Sequence, residues 1–581
     1  MYVGAVRCAR AFVVVAVLGC DEVAPARDAS YDATADACDG ACAVCAPGAR
    51  SCSDDERAVL RCRDDGLARE VAGTCSAGTR CAAGACVSPC AWAAATHSYL
   101  GCDFHAVGTL NSGLGRYYAG ASREDFPFVV TVTNPWATEV TVTLDGGGLA
   151  APRAVTVEAR SARTVSLPWV RTLSEGGDPE RPRSARVERG AVHLRASLPV
   201  GAWQFNPEGF VSTLSCGDAR CFSYTNDASL LLPTASLSMR YVAVTRPTVR
   251  LRAQGQTQWR RASGFVAIAA TAEGFTDVTV RLRGRTEAGE SLAAGAPGET
   301  LRARLAQGEV WQLVSDASGT CATPEPDTVR GDVFCRPVAA EDLTGTAVES
   351  SAPVAVFAGH DCALVPYDRF ACDHLEEQML PVESLGRRYV VARTPPWFAE
   401  PDVLRVVATH SDTRVTFEPA RAHDPVTLAD VGDFVEFEQR ESVAVTGTEA
   451  LLVAQFLVGG SYDRARSDEG RGDPDMVLAP PIEQTRSAYD FVAATGFPTN
   501  TAIVTVPTGE GLVLDGARVT TAPYDRVAGY DVLHLAVSEG AHHIESARAG
   551  VRFGLIVSGL APSTSYTYAA GLDLAPISTP Q

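Results

Sequence analysis

The sequence predicts an all-β fold, with tandem, divergent β-sandwich-like repeats preceded by a small disulfide-rich module. Three observations carry this reading. Long amphipathic helical patterns are scarce, valine and threonine alternate around polar turns, and 51 glycines and 34 prolines punctuate the chain at short intervals. A length of 581 residues suits about three or four domains, and 46% hydrophobic with 20% charged residues excludes a disordered chain. A formal charge of -19 argues against a nucleic-acid partner, because such binding draws on basic contacts to phosphate. All 50 basic residues are arginine, which fits a GC-rich codon bias and carries no functional weight.

The N-terminus sets the compartment. Arg7 and Arg10 precede an apolar run from Ala11 to Gly19, too short to span a bilayer but suited to an export signal over residues 1–19. Val17, Leu18, Gly19 and Cys20 resemble a bacterial lipobox, in which Cys20 becomes the lipidated first residue. An ordinary signal peptide with a secreted product is the alternative. Residues 20–37 are small and acidic and read as a tether. The expected location is therefore the bacterial cell envelope or surface, with membrane contact through the lipid.

Ten cysteines follow: Cys38, Cys42, Cys45, Cys52, Cys62, Cys75, Cys81, Cys86, Cys90 and Cys102. In an exported chain such a small segment, expected over 38–101, is held by disulfides because its own apolar burial is too small. Its connectivity does not follow from spacing. Zinc on Cys38, Cys42 and Cys45 is a weaker reading. Three later pairs are local and are expected to close single loops: Cys216 with Cys221, Cys321 with Cys335, and Cys362 with Cys372.

From residue 100 onward the chain repeats itself. Pro233 and Tyr241, Pro381 and Tyr389, and Pro481 and Tyr489 share one spacing, and Leu114 to Tyr118 is a copy without the proline. Each element precedes a strand pair with the alternation of a half-buried hairpin: 128–144, 265–282, 403–417 and, more weakly, 501–514. Another strand then begins at Pro199, Pro353, Leu451 or Val551. Four repeats are expected, at 102–226, 227–371, 372–475 and 476–581, each large enough for two packed sheets. Closure of the repeats into a propeller-like ring is the alternative. Trp203, Phe205, Phe357 and Phe456 recur at matching strand positions and read as core.

Asp342 to Thr346, Pro353 to Val356 with Gly359 and His360, Cys372 to Leu375, and Pro381 through Gly386 to Tyr389 make a combined pattern. It resembles the N-terminal domain of immunoglobulin G Fc-binding proteins, which also occurs in secreted proteins and lipoproteins of bacteria, notably myxobacteria. The similarity is clearest over about 227–500, and Tyr566 to Gly571 is similar to the family's tail. The resemblance implies an extracellular β-rich binding module without catalysis or cofactor. It does not imply antibody as the ligand.

No nucleophile elbow, zinc helix, phosphate loop or dinucleotide fingerprint is present in the sequence. His360, Asp361, Asp373 and His374 form a weak candidate metal set if Cys362 bonds Cys372, against which stands use of the same polar groups to hold a loop. His542 and His543 read as a surface pair at a strand edge. Arg330 to Asp332 and Arg471 to Asp473 spell an adhesive tripeptide that chance supplies in so Arg-, Gly- and Asp-rich a chain. The function expected is a non-catalytic cell-surface lipoprotein that binds extracellular protein or glycan. An exported hydrolase with residues from different repeats, or a structural envelope component, are the alternatives.

Overall fold

The valine-rich strands of this chain fall into two kinds. Phe128–Asn134, Gly264–Ala270 and Asp402–Ala408 are buried at every position, whereas Val140–Gly146, Phe275–Arg281 and Thr413–Glu418 alternate buried with exposed or half-buried positions. A strand covered on both faces belongs in an inner layer, and an alternating one in a layer with a wet face. The computed structural model describes residues 44–114, 121–178, 181–217, 220–395, 400–421, 424–462 and 472–579, and shows this sorting as architecture.

Four successive segments build the same pair of antiparallel sheets. In the third, the strands in order are Arg388–Val391, Asp402–Ala408, Thr413–Glu418, Val426–Leu428, Phe434–Gln439, Val443–Gly447, Leu451–Phe456 and Met476–Leu478. An outer sheet orders its first, sixth, third and fourth strands, and an inner sheet its fifth, second, seventh and eighth. The same order recurs over 101–230, 240–378 and 488–569. In the first unit the single strand Val192–Phe205 serves as sixth and seventh, changing sheets at a register break between Arg195 and Val200. The fold is therefore all-β, as predicted.

The consecutive second and third strands do not pair with each other, contrary to the hairpins expected at 128–144, 265–282, 403–417 and 501–514. They cross from the inner to the outer sheet, and their partners lie farther along the chain. Period-two alternation reports a half-buried strand, not its partner. Pairing also joins Ala228–Leu230, Cys372–Gln378 and Met476–Leu478 to the preceding sheets, one strand later than the expected boundaries at 227, 372 and 476.

These eighth strands are the centre of the molecule. Ala228–Leu230, Cys372–Gln378, Met476–Leu478 and Thr564–Ala569 pack each against the next, and the last against the first. The two arrangements weighed from sequence thus hold at different levels, sandwiches within units and a closed ring of units. Aromatic rings seal the join between first and last units: Trp203 lies 5.7 Å from Tyr568, Phe205 5.7 Å from Tyr566, and Phe210 5.1 Å from Phe497. The segment after the last strand reaches back as well, where Leu574 N donates to His97 O at 2.7 Å.

The recurring proline and tyrosine have one local cause. Pro233, Pro381 and Pro481 each precede a single 3-10 turn, Thr234–Ser236, Val382–Ser384 and Ile482–Gln484, for which the proline pre-sets the backbone. The tyrosine hydroxyl then donates to the carbonyl of the first residue of the seventh strand, or of the residue just before it: Tyr241 to Val354 at 2.8 Å, Tyr389 to Leu451, and Tyr489 to Phe553 at 2.5 Å. Each tyrosine is buried and ties the outer sheet to the inner one.

Ahead of the ring, disulfides join Cys45 with Cys62, Cys52 with Cys81, and Cys75 with Cys86 around a minimal core of Ala82, Trp92 and Ala93. Cys90 on the helix Pro89–Ala95 bonds Cys102 on the first strand of the ring, fixing the module to it. Cys20, Cys38 and Cys42 lie outside the described residues.

The junction of units two and three uses the segment Asp342 to Thr346. Gly345 and Gly432 meet face to face, both at φ +86°, and a Cβ on Gly345 would run into the carbonyl of Gly432. Beside them Arg405 donates to Asp342 at 2.9 Å and to the Thr344 hydroxyl at 2.6 Å. We expect Gly345→Ala to destabilise the chain by more than about 1 kcal/mol, since left-handed backbone and close approach both penalise a side chain. A lowered thermal midpoint with unchanged secondary structure in circular dichroism is the check.

Candidate functional site

The four candidate metal ligands and the pair Cys362 and Cys372 fall on two neighbouring inner strands, Val354–Leu364 and Cys372–Gln378, in which all but Cys372 are buried. Their pairing breaks register between His360 and Ala363, and Cys362 bonds Cys372 just beyond. The four candidate metal ligands come close in the fold but turn to different partners. His360 Nε2 faces the Pro247 carbonyl at 3.1 Å while its Nδ1 accepts the Cys362 N–H at 3.1 Å. Burial pushes this imidazole down to about 3, so it stays neutral. Asp361 accepts the Ser112 N–H and hydroxyl at 2.5 and 2.6 Å. Asp373 accepts the His374 N–H at 2.6 Å, and His374 Nε2 lies 3.0 Å from Asn206 Nδ2. Among the described residues, no three acidic, histidine or cysteine side chains that include any of these four bring donor atoms within 4.8 Å of one another.

The same two strands anchor the ring axis. Glu376 accepts from Thr109 at 2.8 Å, and from Asn206 and Gln204 at 3.0 Å each, all three in the first unit. Glu377 accepts from Ser229 at 3.1 Å on the first unit and from Leu478 N at 3.3 Å on the third. Asp227 accepts Glu376 N at 2.9 Å, and Asp475 accepts the Thr567 hydroxyl at 2.8 Å. A polar core therefore runs through the centre, with at least one hydrogen-bonding side chain from every unit. It was not read from sequence, although the run from Asp373 to Gln378 was a signal: four ionisable residues in a strand otherwise of core type.

Burial dominates the electrostatics there. Asp227, Asp373, Glu377 and Asp473 are raised well above the ordinary carboxylate range by desolvation, and Asp475 is pushed up to about 7 by the same cause. Neighbouring carboxylates add to it for Asp227, Asp373, Glu377 and Asp475, and no arginine is among the strongest influences on any of the five. A neutral acid in this position can donate a hydrogen bond.

Outside the core, two disulfide loops meet on the second unit. Cys321 bonds Cys335, and Cys362 bonds Cys372. Tyr367 on the second loop donates to Glu325 on the first at 2.6 Å, and Arg330 lies 4.6 Å over the Phe370 ring. Tyr462 of the third unit adjoins, with Arg369 5.6 Å from its ring. A groove beside the loops is lined by Arg246, Arg250, Pro337, Tyr367, Arg405 and Glu436. Arg246 and Arg405 both bind Glu436; burial alone would raise its carboxyl, but the two guanidiniums outweigh it and hold it down to about 2.

Other candidates resolve simply. Cys216 bonds Cys221 in a small hairpin of the first unit. Asp332 is buried and accepts Gln254 N at 2.9 Å, and Asp473 is buried, so neither tripeptide presents its aspartate to solvent. His542 and His543 lie on Gly540–Ser546, which has partners on both sides and is not an edge. Trp203, Phe205, Phe357 and Phe456 are core residues.

A family model described as IgGFc binding protein matches residues 227–559. The chain belongs to this family. The human IgGFc-binding protein is 29% identical over 354 residues, which is 60% of this chain and only 6% of that protein. The family match takes in units two and three and most of unit four, so the DLTGT segment, the disulfide loops and the acidic strand are family territory. The cysteine-rich module and the first unit, apart from its eighth strand Ala228–Leu230, precede it.

The axis carboxylates carry a sign. Their folded pKa values lie above the unfolded carboxylate value, so their contribution is complete below about 4 and is lost as pH rises through the folded values, about 7 for Asp475. We expect the thermal midpoint to fall between pH 5 and pH 8. Asp475→Asn, which keeps the shape without the charge, should flatten that fall, as differential scanning calorimetry across pH would show.

Proposed function

We propose that this chain is a non-catalytic binding module for extracellular protein or glycan, held at a bacterial cell envelope through lipid on Cys20. The observation that carries the binding reading is the division of the family segment. Its polar strands are used up in holding the ring, while the loop they support, residues 366–371, keeps every residue half-buried at the surface. Tyr367, Arg369 and Phe370 there, with Tyr462 beside them, are the residue types that dominate contact energies in protein interfaces. The disulfide at the base pre-orders the loop, which lowers the entropy cost of docking. Seven disulfides among the described residues fit an oxidising compartment outside the cytoplasm.

Immobilised protein should retain a partner from envelope extracts or on a glycan array, and Tyr367→Ala with Arg369→Ala should weaken that retention by about tenfold or more. Undiminished retention by the double variant would move the binding face elsewhere. Turnover of a model glycoside or peptide without any retained partner would instead favour a hydrolase. Labelled palmitate should enter the wild-type chain and not Cys20→Ala, and equal labelling would exclude the anchor.

A further inference from the structure

The first unit places one set of metal-binding donors together that the rest of the described chain does not repeat. Asp103 and His105 alternate along the strand Gly101–Ala106, and His193 stands directly opposite His105 on the neighbouring strand. Alternation puts all three side chains on one face. One donor atom from each lies within 4.8 Å of the other two, and among the described residues this is the only such trio.

Hydrogen bonding fixes the tautomers. The Thr234 hydroxyl donates to Asp103 Oδ1 and lies 3.3 Å from His105 Nδ1, so it accepts the proton carried on that nitrogen. This leaves His105 Nε2 with a bare lone pair. Among the described residues that atom has no hydrogen-bond partner, although His105 is only 1% exposed. An unpaired acceptor on a buried ring costs free energy unless something fills it. His193 Nε2 lies 2.7 Å from Asp103 Oδ2, and Arg195 donates to His193 Nδ1 at 3.2 Å and to Asp145 at 2.6 Å.

We propose that Asp103, His105 and His193 bind a divalent transition-metal ion of the Zn2+ type. Two imidazoles and a carboxylate suit such an ion, and Thr234 orients two of the three ligands as an outer-shell partner. The metal replaces the proton between His193 and Asp103. That proton moves to His193 Nδ1 as Arg195 turns wholly to Asp145. The two rings stack with centroids 4.5 Å apart and planes 11° apart, so binding turns them about their side-chain torsions until both planes converge on the ion, with donors about 3.4 Å apart as tetrahedral bonds near 2.1 Å require. Asp103, with 40% of its side chain exposed, leaves room for water as the fourth ligand. Thr234 begins the 3-10 turn that leads into the second unit, so the ion fastens that joint. Asp103, His105 and His193 lie ahead of the segment the family model matches, and Thr234 lies just inside its start.

The test titrates ZnCl2 into the full chain after chelator treatment, by calorimetry, and Co2+ by visible absorption. One Zn2+ per chain is expected, with a tetrahedral Co2+ spectrum and a raised thermal midpoint. His193→Gln and Asp103→Asn should each weaken binding by about tenfold or more. The exposed Asp103 makes the second variant a check that survives any folding defect in the first. His542→Ala with His543→Ala removes the other histidine pair and should leave the affinity unchanged. Failure to saturate below ~100 µM Zn2+, full affinity in both ligand variants, or loss only in the His542 and His543 variant would overturn the site.

Discussion

Everything in this molecule depends on four short strands meeting at one axis. An eighth strand from each unit packs against its two neighbours, and the central strands of the inner sheets that carry them are covered on both faces. Such a centre could be wholly apolar. Here it is polar, with Asp227, Ser229, Glu376, Glu377, Asp475 and Thr567 bonding from unit to unit. Apolar packing tolerates sliding, whereas a buried hydrogen bond is costly to leave unmade, so the polar axis specifies which unit sits beside which. The raised carboxylates are the energetic consequence of that specification, since neutral acids are far cheaper to bury than charges.

The last three units are each held together by a second recurrent bond. The outer sheet faces solvent and the inner sheet faces the axis, so a tie between them must cross the sandwich. The tyrosine does this with one buried hydroxyl, and its proline sets the turn that aims it. The spacing from proline to tyrosine is thus a length requirement: one 3-10 turn and the first residues of a strand. Among the described residues the first unit shows no such tie at its start, and Tyr117 and Tyr118, its copy of the element in the sequence, lie outside them. At that start Tyr99 bonds to the backbone of Asp490 in the last unit, at 3.1 Å, and so serves ring closure.

The sequence was legible where one stretch of chain decides the outcome. Strand character, the repeated proline and tyrosine, the aromatic core and the short cysteine loops are local, and all were readable. Pairing was not. Valine and threonine alternation over 128–144 marks two good strands, but whether they pair depends on Val192–Phe205, which takes one of them into each sheet. The polar residues of the acidic strand read as a weak metal set or as groups that hold a loop, and their place at the axis was not legible because nothing within Cys372–Gln378 discloses that both its faces are covered. His193 and Asp103 lie 90 positions apart, beyond the reach of any motif of fixed spacing.

A closed ring also changes what the family match means. The matched segment, 227–559, spans only part of the circle, which closes where Ala228–Leu230 of the first unit packs against Cys372–Gln378 on one side and Thr564–Ala569 on the other. Trp203 and Phe205 fill the gap against Tyr566 and Tyr568, so the first unit is required by the fold although its sequence departs most from the repeat. Freed from the DLTGT junction, that unit had only to supply inner-sheet strands of the right shape. Its outer face was left open to other chemistry, and it is there that Asp103, His105 and His193 converge.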